Sequence, residues 1–359
     1  MTDDNSRPSL YHRLRKLVVG DARSISDPGI FHKLSLIAFF AWVGLGADGL
    51  TSSCYGPEEA FLALGRHPHL SIFVALGTVI TIFVISASYH QIIELFPTGG
   101  GGYLVASKLI SPSVGMVAGS ALLIDYLLTI TLSVASGADA LFSFLPAYML
   151  PYKLPVAVWG VSLLIILNLR GVKESVLPLV PIFLIFIVTH AFAIIYTFAS
   201  QAGNIPVLVN ATATEISASS SELGFAGMIF LILRAYSMGA GTFTGIEAVS
   251  NGMSILREPK VQTAKRTMNY MATSLALVVA GLMISYLLLG VHHVRGKTLN
   301  AVLFDSMTAG WGSAGVIFVL VTLLSEAVLL FVAAQTGFLG GPAILANMAL
   351  DRWAPGRFA

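Results

Sequence analysis

Long apolar runs separated by short polar connections set the pattern of this chain, at roughly 35–64, 70–96, 112–146, 155–169, 176–199, 225–253, 268–291 and 312–337. Each can cover the ~20 residues a helix needs to cross a bilayer, given tilt and ragged ends. The pattern therefore predicts eight membrane-spanning helices. Two of them are interrupted. In the first, Gly46-Ala47-Asp48-Gly49-Leu50-Thr51-Ser52-Ser53-Cys54-Tyr55-Gly56-Pro57-Glu58-Glu59 replaces apolar residues with glycines, a proline, hydroxyls and carboxylates. In the sixth, Gly239-Ala240-Gly241-Thr242-Phe243-Thr244-Gly245-Ile246-Glu247 does the same. Glycines at 46, 49, 239, 241 and 245 weaken the helix where it crosses mid-membrane. The backbone groups they free are tolerated only where they line a cavity, and a carboxylate at that depth marks a binding site for something polar.

The two breaks lie five helices apart. If five helices form a unit, the second copy enters from the opposite side of the bilayer, the inverted repeat with which many secondary transporters build a midplane site. The expected organisation is a polar leader at 1–34, a first five-helix repeat at 35–200, an extracellular loop at 201–224, an incomplete second repeat of helices six to eight at 225–345, and a cytoplasmic tail at 346–359. Such a repeat calls for two further helices, so the chain is expected to be truncated after about helix eight. The leader lacks the apolar core and cleavage site of a signal peptide and is expected to stay attached.

Composition agrees with a polytopic all-α membrane protein. Of 359 residues 56% are hydrophobic and 11% charged, about half the charge of an ordinary soluble domain. Alternate assignment of the connections puts most of the lysines and arginines on one side. Arg66, Lys153, Arg295 and Lys297 fall on the other, and Arg234 lies inside the sixth helix. Basic residues are retained in the cytoplasm, so the N-terminus is expected inside, in a cell (plasma or inner) membrane. The partner this implies is the lipid bilayer, with no nucleic acid. Cys54 is the single cysteine, which excludes an internal disulfide and multi-cysteine metal sites. The run Pro97-Thr98-Gly99-Gly100-Gly101-Gly102-Tyr103 lacks the following Lys-Ser/Thr of a nucleotide loop and reads as a hinge or close-packing element. No nucleophile–base pair or cofactor loop stands out, so neither an enzyme nor a cofactor is expected.

In the third helix Asp125, Thr129 and Ser133 recur every four residues with Tyr126 beside the first, stacking oxygens on one face. Hydroxyls in membrane helices also bond the carbonyl one turn back, an equal alternative for Thr129 and Ser133. Near the midplane the oxygens collected are Asp48 and Tyr55, Asp125, Tyr126, Thr129 and Ser133, and Thr244 and Glu247. Carboxylates and hydroxyls together favour a hard cation. Imidazoles suited to a softer metal, at His67, His69, His90, His190, His292 and His293, map to loops or helix ends. Magnesium keeps its water and calcium prefers rigid carboxylate cages, which leaves a weakly hydrated monovalent ion. Freed amides could instead hold an amino acid carboxylate, although Asp48 would repel it; cationic amines remain compatible. Glu58 and Glu59 read as helix-face charges, cation attractors or, the favoured alternative, partners of Arg234, which Asp139 could also serve. Glu326, within the eighth helix and without an obvious mate, reads as a plain buried hydrogen-bonding acid or, with Asp48, Asp125 and Glu247, as a candidate proton carrier.

The segments at 46–59, 97–103 and 243–247 resemble the amino acid–polyamine–organocation (APC) superfamily and, within it, the KimA-type potassium importers. The resemblance runs nearly the whole chain, and its first motif is the most specific. It implies a LeuT-like inverted-repeat fold with discontinuous helices one and six, potassium import by alternating access with proton symport, and a homodimer in the full-length protein. It places the ion ligands on the oxygen set just named. An amino acid or polyamine permease of the same superfamily is the alternative.

Overall fold

The computed structural model describes residues 36–97, 99, 101–169 and 176–358. The expected leader with its basic residues, Arg170, Lys173, Thr98 and Gly100 lie outside these. The described residues are almost wholly helical, and seven stretches are each long and apolar enough to cross a membrane. The first span is the exception in length, because its polar interruption divides it into Ala38–Gly44, Gly46–Thr51, a tight turn at Ser52–Cys54, and Gly56–Ala63.

The second to fifth spans are Ser71–Leu95, Pro112–Ser143, Lys153–Leu169 and Val176–Ser200. The third begins where the sequence signals it, with Ser111 accepting the Val114 N–H at 3.2 Å and proline in the first helical turn. The sixth span follows on Ile205–Met238, turns at Gly239–Phe243 and resumes as Ala248–Asn251. The seventh is Lys260–Leu288 and the eighth Ser313–Leu350.

The third span packs along the eighth and the second along the seventh. Small residues allow the close approach, as in membrane helices generally: Gly337 and Gly340 of the eighth lie against Tyr126, and Gly137 and Gly160 receive Phe331. The start of the first span is tied to the end of the sixth, Leu36 N–H donating to Ile255 O at 2.9 Å and Arg257 N–H to Leu36 O at 3.0 Å. This is the LeuT-like arrangement, with discontinuous first and sixth spans side by side.

Three features depart from the expected organisation. The 201–224 connection is helical from Ile205 and ends in a kink at Gly224, whose φ of +73° only glycine adopts freely. Its Ala, Ser, Thr and Glu residues support a helix without the apolar stripe that would announce one. It is held to the turn after the first span by His69 Nδ1 and Glu215 at 2.5 Å, with His67 near Glu215 and Glu222. Second, a short helix, Leu299–Thr308, is capped by Thr298 between the seventh and eighth spans. Third, the eighth span passes the expected 345/346 boundary without interruption, and Tyr103 Oη donates to Asp351 just beyond its end at 2.6 Å.

Candidate functional site

The two breaks meet because glycine lets them. Gly245 has φ +83°, and a Cβ there would stand 2.6 Å from Gly49 N and 2.8 Å from Asp48 Oδ2. Side chains at Gly239 and Gly241 would run into Ala60 and the Tyr55 ring; at Gly46 and Gly49 they would run into Trp42 and Met271. The hydroxyls satisfy the carbonyls that broken helices leave open. Thr51 donates to Asp48 O at 2.9 Å and Ser53 to Leu50 O at 2.7 Å, while Ser52 lies 2.5 Å from Gly49 O and 2.8 Å from Thr242 O across the breaks.

Around this junction the structure gathers most of the oxygens singled out from the sequence. Asp48 is 3% exposed; Thr336 of the eighth span donates to its Oδ2 at 2.7 Å, and its Oδ1 is buried with no hydrogen-bond partner among the described residues. Tyr55 Oη is 2.9 Å from Thr244 Oγ1, and the Thr244 hydroxyl lies 2.8 Å from Gly241 O. Asp125 and Glu247 are partly buried and lie within electrostatic reach of Asp48 and of each other. Tyr126 faces the same acids and accepts a hydrogen bond from Asn251 Nδ2 at 2.8 Å. Thr129 and Ser133 are buried further along the third span, and Ser133 Oγ has no partner among the described residues. Buried oxygens without partners are uncommon in folded proteins, and water or a bound ion can complete them. Among the described residues no lysine or arginine pairs with Asp48, Asp125 or Glu247; the pairs that form are Lys153–Asp139, Lys265–Glu94 and Lys297–Asp305.

A cavity of about 280 Å³ lies beside Lys153 and Lys297, with Cys54 and Tyr55 of the first break at one wall and Glu58, Glu59 and Asp139 among its lining. The acids expected to neutralise Arg234 are occupied differently. Asp139 pairs with Lys153, and Glu58 accepts the Leu299 N–H at 3.1 Å. Glu59 and Arg234 are exposed, so that arginine is served by solvent or headgroups at the end of a long flexible stem rather than by an internal acid.

Two further expectations are corrected. His190 does not lie at a helix end: it sits well inside the fifth span, fully buried. Nor is Glu326 without a mate, since its Oε1 is 2.9 Å from His190 Nε2 and accepts from Asn300 Nδ2 at 3.1 Å. Sequence reasoning also passed over Thr336 and Asn251, which orient Asp48 and Tyr126. Each is a single polar residue with no recurrent spacing around it; a polar side chain inside an apolar span was the one available signal. The glycine run acts as the packing element foreseen for it: Gly99 and Gly101, with φ of +92° and +52°, lie against Ser250 and Asn251 at the end of the sixth-span break.

Comparison with known proteins adds the lineage. The potassium transporter KimA of Bacillus subtilis (strain 168) is 30% identical over 354 residues, 97% of this chain and 56% of that protein. The chain therefore spans a little over half the length of the relative it matches. A family model described as amino acid permease matches residues 34–359, both breaks included, and the chain belongs to that family of the APC superfamily.

Proposed function

We propose that the protein imports potassium by alternating access, coupled to proton entry, with the cation held between the first, third and sixth spans. The observation that carries this reading is Asp48. One of its oxygens is fixed by Thr336 and the other is buried, and among the described residues that second oxygen has no hydrogen-bond partner and no basic side chain pairs with Asp48 or with the neighbouring Asp125 and Glu247. A buried charge without a partner is costly, and a monovalent cation stripped of its water supplies one. The ligands would be Asp48, Tyr55, Asp125, Tyr126, Thr129, Ser133, Thr244 and Glu247, with potassium as cargo. The likeness to a protein named as a potassium transporter points the same way. With the N-terminus in the cytoplasm, the cavity beside Lys153 and Lys297 opens outward.

Proton coupling has an energetic motive. One charge moving through ~100 mV gains ~2.3 kcal/mol, roughly fifty-fold accumulation, and a second charge entering with it raises that to a thousand-fold or more. The test is rubidium uptake into vesicles bearing the full-length protein, with and without an inward proton gradient. Rubidium should accumulate, and faster with the gradient. Accumulation of a labelled amino acid or polyamine in place of rubidium would replace this reading with an amine or amino acid permease.

A further inference from the structure

We infer that His190 and Glu326 together form the proton-binding site of the transport cycle, separate from the oxygen cluster around Asp48. This rests on the proton-coupled reading and names the residues that carry the proton. The two side chains are 0% and 1% exposed and join the fifth span to the eighth.

Their hydrogen-bond geometry counts the protons. His190 Nδ1 lies 2.8 Å from the Phe186 carbonyl oxygen, which can only accept, so Nδ1 carries hydrogen. In a neutral imidazole Nε2 is then a bare acceptor. Facing it at 2.9 Å is Glu326 Oε1, also an acceptor when the carboxylate is ionised. Two acceptors do not sit at that distance without a proton between them. Asn300 Nδ2 donates to the same Oε1, and Tyr286 fixes Asn300 by donating to its Oδ1 at 2.6 Å. One proton between Nε2 and Oε1, on either of them, satisfies both atoms. Either way the pair is neutral as a whole and holds one proton more than a bare carboxylate beside a neutral ring.

The surroundings keep that proton from leaking. Phe186 and Phe304 cover the imidazole. The titratable groups that face the pair are Cys54 from the first break, Glu58 from the outer part of the first span and Tyr286 from the seventh. Cys54 also lines the cavity, so the pair lies directly behind the cavity wall. Coupling has a physical carrier in the eighth span, one continuous helix from Ser313 to Leu350 that bears both Glu326 and Thr336. The two stand about 15 Å apart on it at 1.5 Å per residue. A shift of the first span against this helix acts on the Thr336–Asp48 bond and on the wall over the proton pair together, giving both ligands a hold on one element.

The experiment uses the full-length protein in vesicles and reads two fluxes: rubidium exchange at equal pH, and net rubidium uptake driven by a proton gradient. In Glu326→Gln and in His190→Gln, gradient-driven accumulation should fall to the level seen without a gradient while exchange persists. Removing one partner of a buried pair can unfold a protein, so the double variant His190→Leu with Glu326→Leu, which leaves no orphaned charge, is measured beside them and should show the same split. Gradient-driven accumulation retained in the variants would overturn the assignment and leave potassium import standing. Loss of exchange along with it in folded protein would also overturn it, as would stoichiometric zinc bound by purified wild type and lost with His190→Gln. Wild-type protein that moves no rubidium, or moves it without response to the gradient, fails the transport reading itself.

Discussion

Asp48 and Glu326 are both buried acids touched by the eighth span, yet they are finished differently. Glu326 is met on one oxygen by an imidazole and an amide, each oriented by a further hydrogen bond to Phe186 O or Tyr286. Among the described residues Asp48 has a single side-chain donor, Thr336, and a second oxygen left bare. The difference lies in the backbone behind each. Glu326 and His190 project from unbroken helices, with Asn300, Phe186 and Phe304 packed around them. Asp48 projects from a junction of glycines in which Gly245 passes so close that no side chain can fill the space. An acid held by an imidazole and an amide suits a ligand as small as a proton, and an under-coordinated acid beside freed backbone suits a larger, transient cation.

The largest expected effect comes from Asp48→Asn. The amide oxygen still accepts from Thr336, so the junction stays folded, while the charge that attracts the cation is gone. Loss of a buried charge partner costs ~3 kcal/mol or more, which corresponds to ~100-fold or more in rubidium uptake. Vesicle flux, with membrane insertion checked on the same sample, measures it. Near-normal flux in this variant would erase the contrast between the two acids.

Thr336→Val should weaken rather than abolish. Valine keeps the volume of threonine and removes the donor to Asp48 Oδ2, a hydrogen bond to a charged group that contributes ~1.5 kcal/mol at the lower end. Apparent rubidium affinity should drop about ten-fold, read from the concentration dependence of uptake. Glu326 is on the same helix but not in this bond, so the response to a proton gradient should keep its wild-type ratio. A changed ratio would mean that the two acids are one site.

What the sequence could disclose follows from the range of the interactions. The breaks were legible because glycine, proline and hydroxyl clusters announce themselves locally within apolar runs. The oxygens of the third span were legible because helical spacing puts Asp125, Thr129 and Ser133 on one face. The bond from Thr336 to Asp48 joins residues 288 positions apart, and His190 is 136 positions from Glu326. No local pattern carries such pairs, which is why Glu326 reads as mateless and His190 as peripheral in the chain alone. Arg234 misleads for the opposite reason: its position within an apolar run suggests burial, but which face of the helix it occupies is decided by packing.

The smallest effect belongs to Glu58, an acid in neither site. It lines the cavity, and its Oε2 accepts the Leu299 N–H at the start of the Leu299–Thr308 helix, where a negative charge opposes the helix dipole favourably. Glu58→Gln keeps an acceptor in place and removes only the charge. The loss of stability should be ~0.3–1 kcal/mol, seen as a slight fall in melting temperature, and rubidium affinity should change no more than a few-fold through weaker attraction into the cavity. The control matters because Glu58 also lies within electrostatic reach of Glu326. Were its neutralisation to abolish gradient-driven uptake as Glu326→Gln is expected to, the proton would belong to a spread of acids along the cavity wall, and the tight His190–Glu326 geometry would be structural.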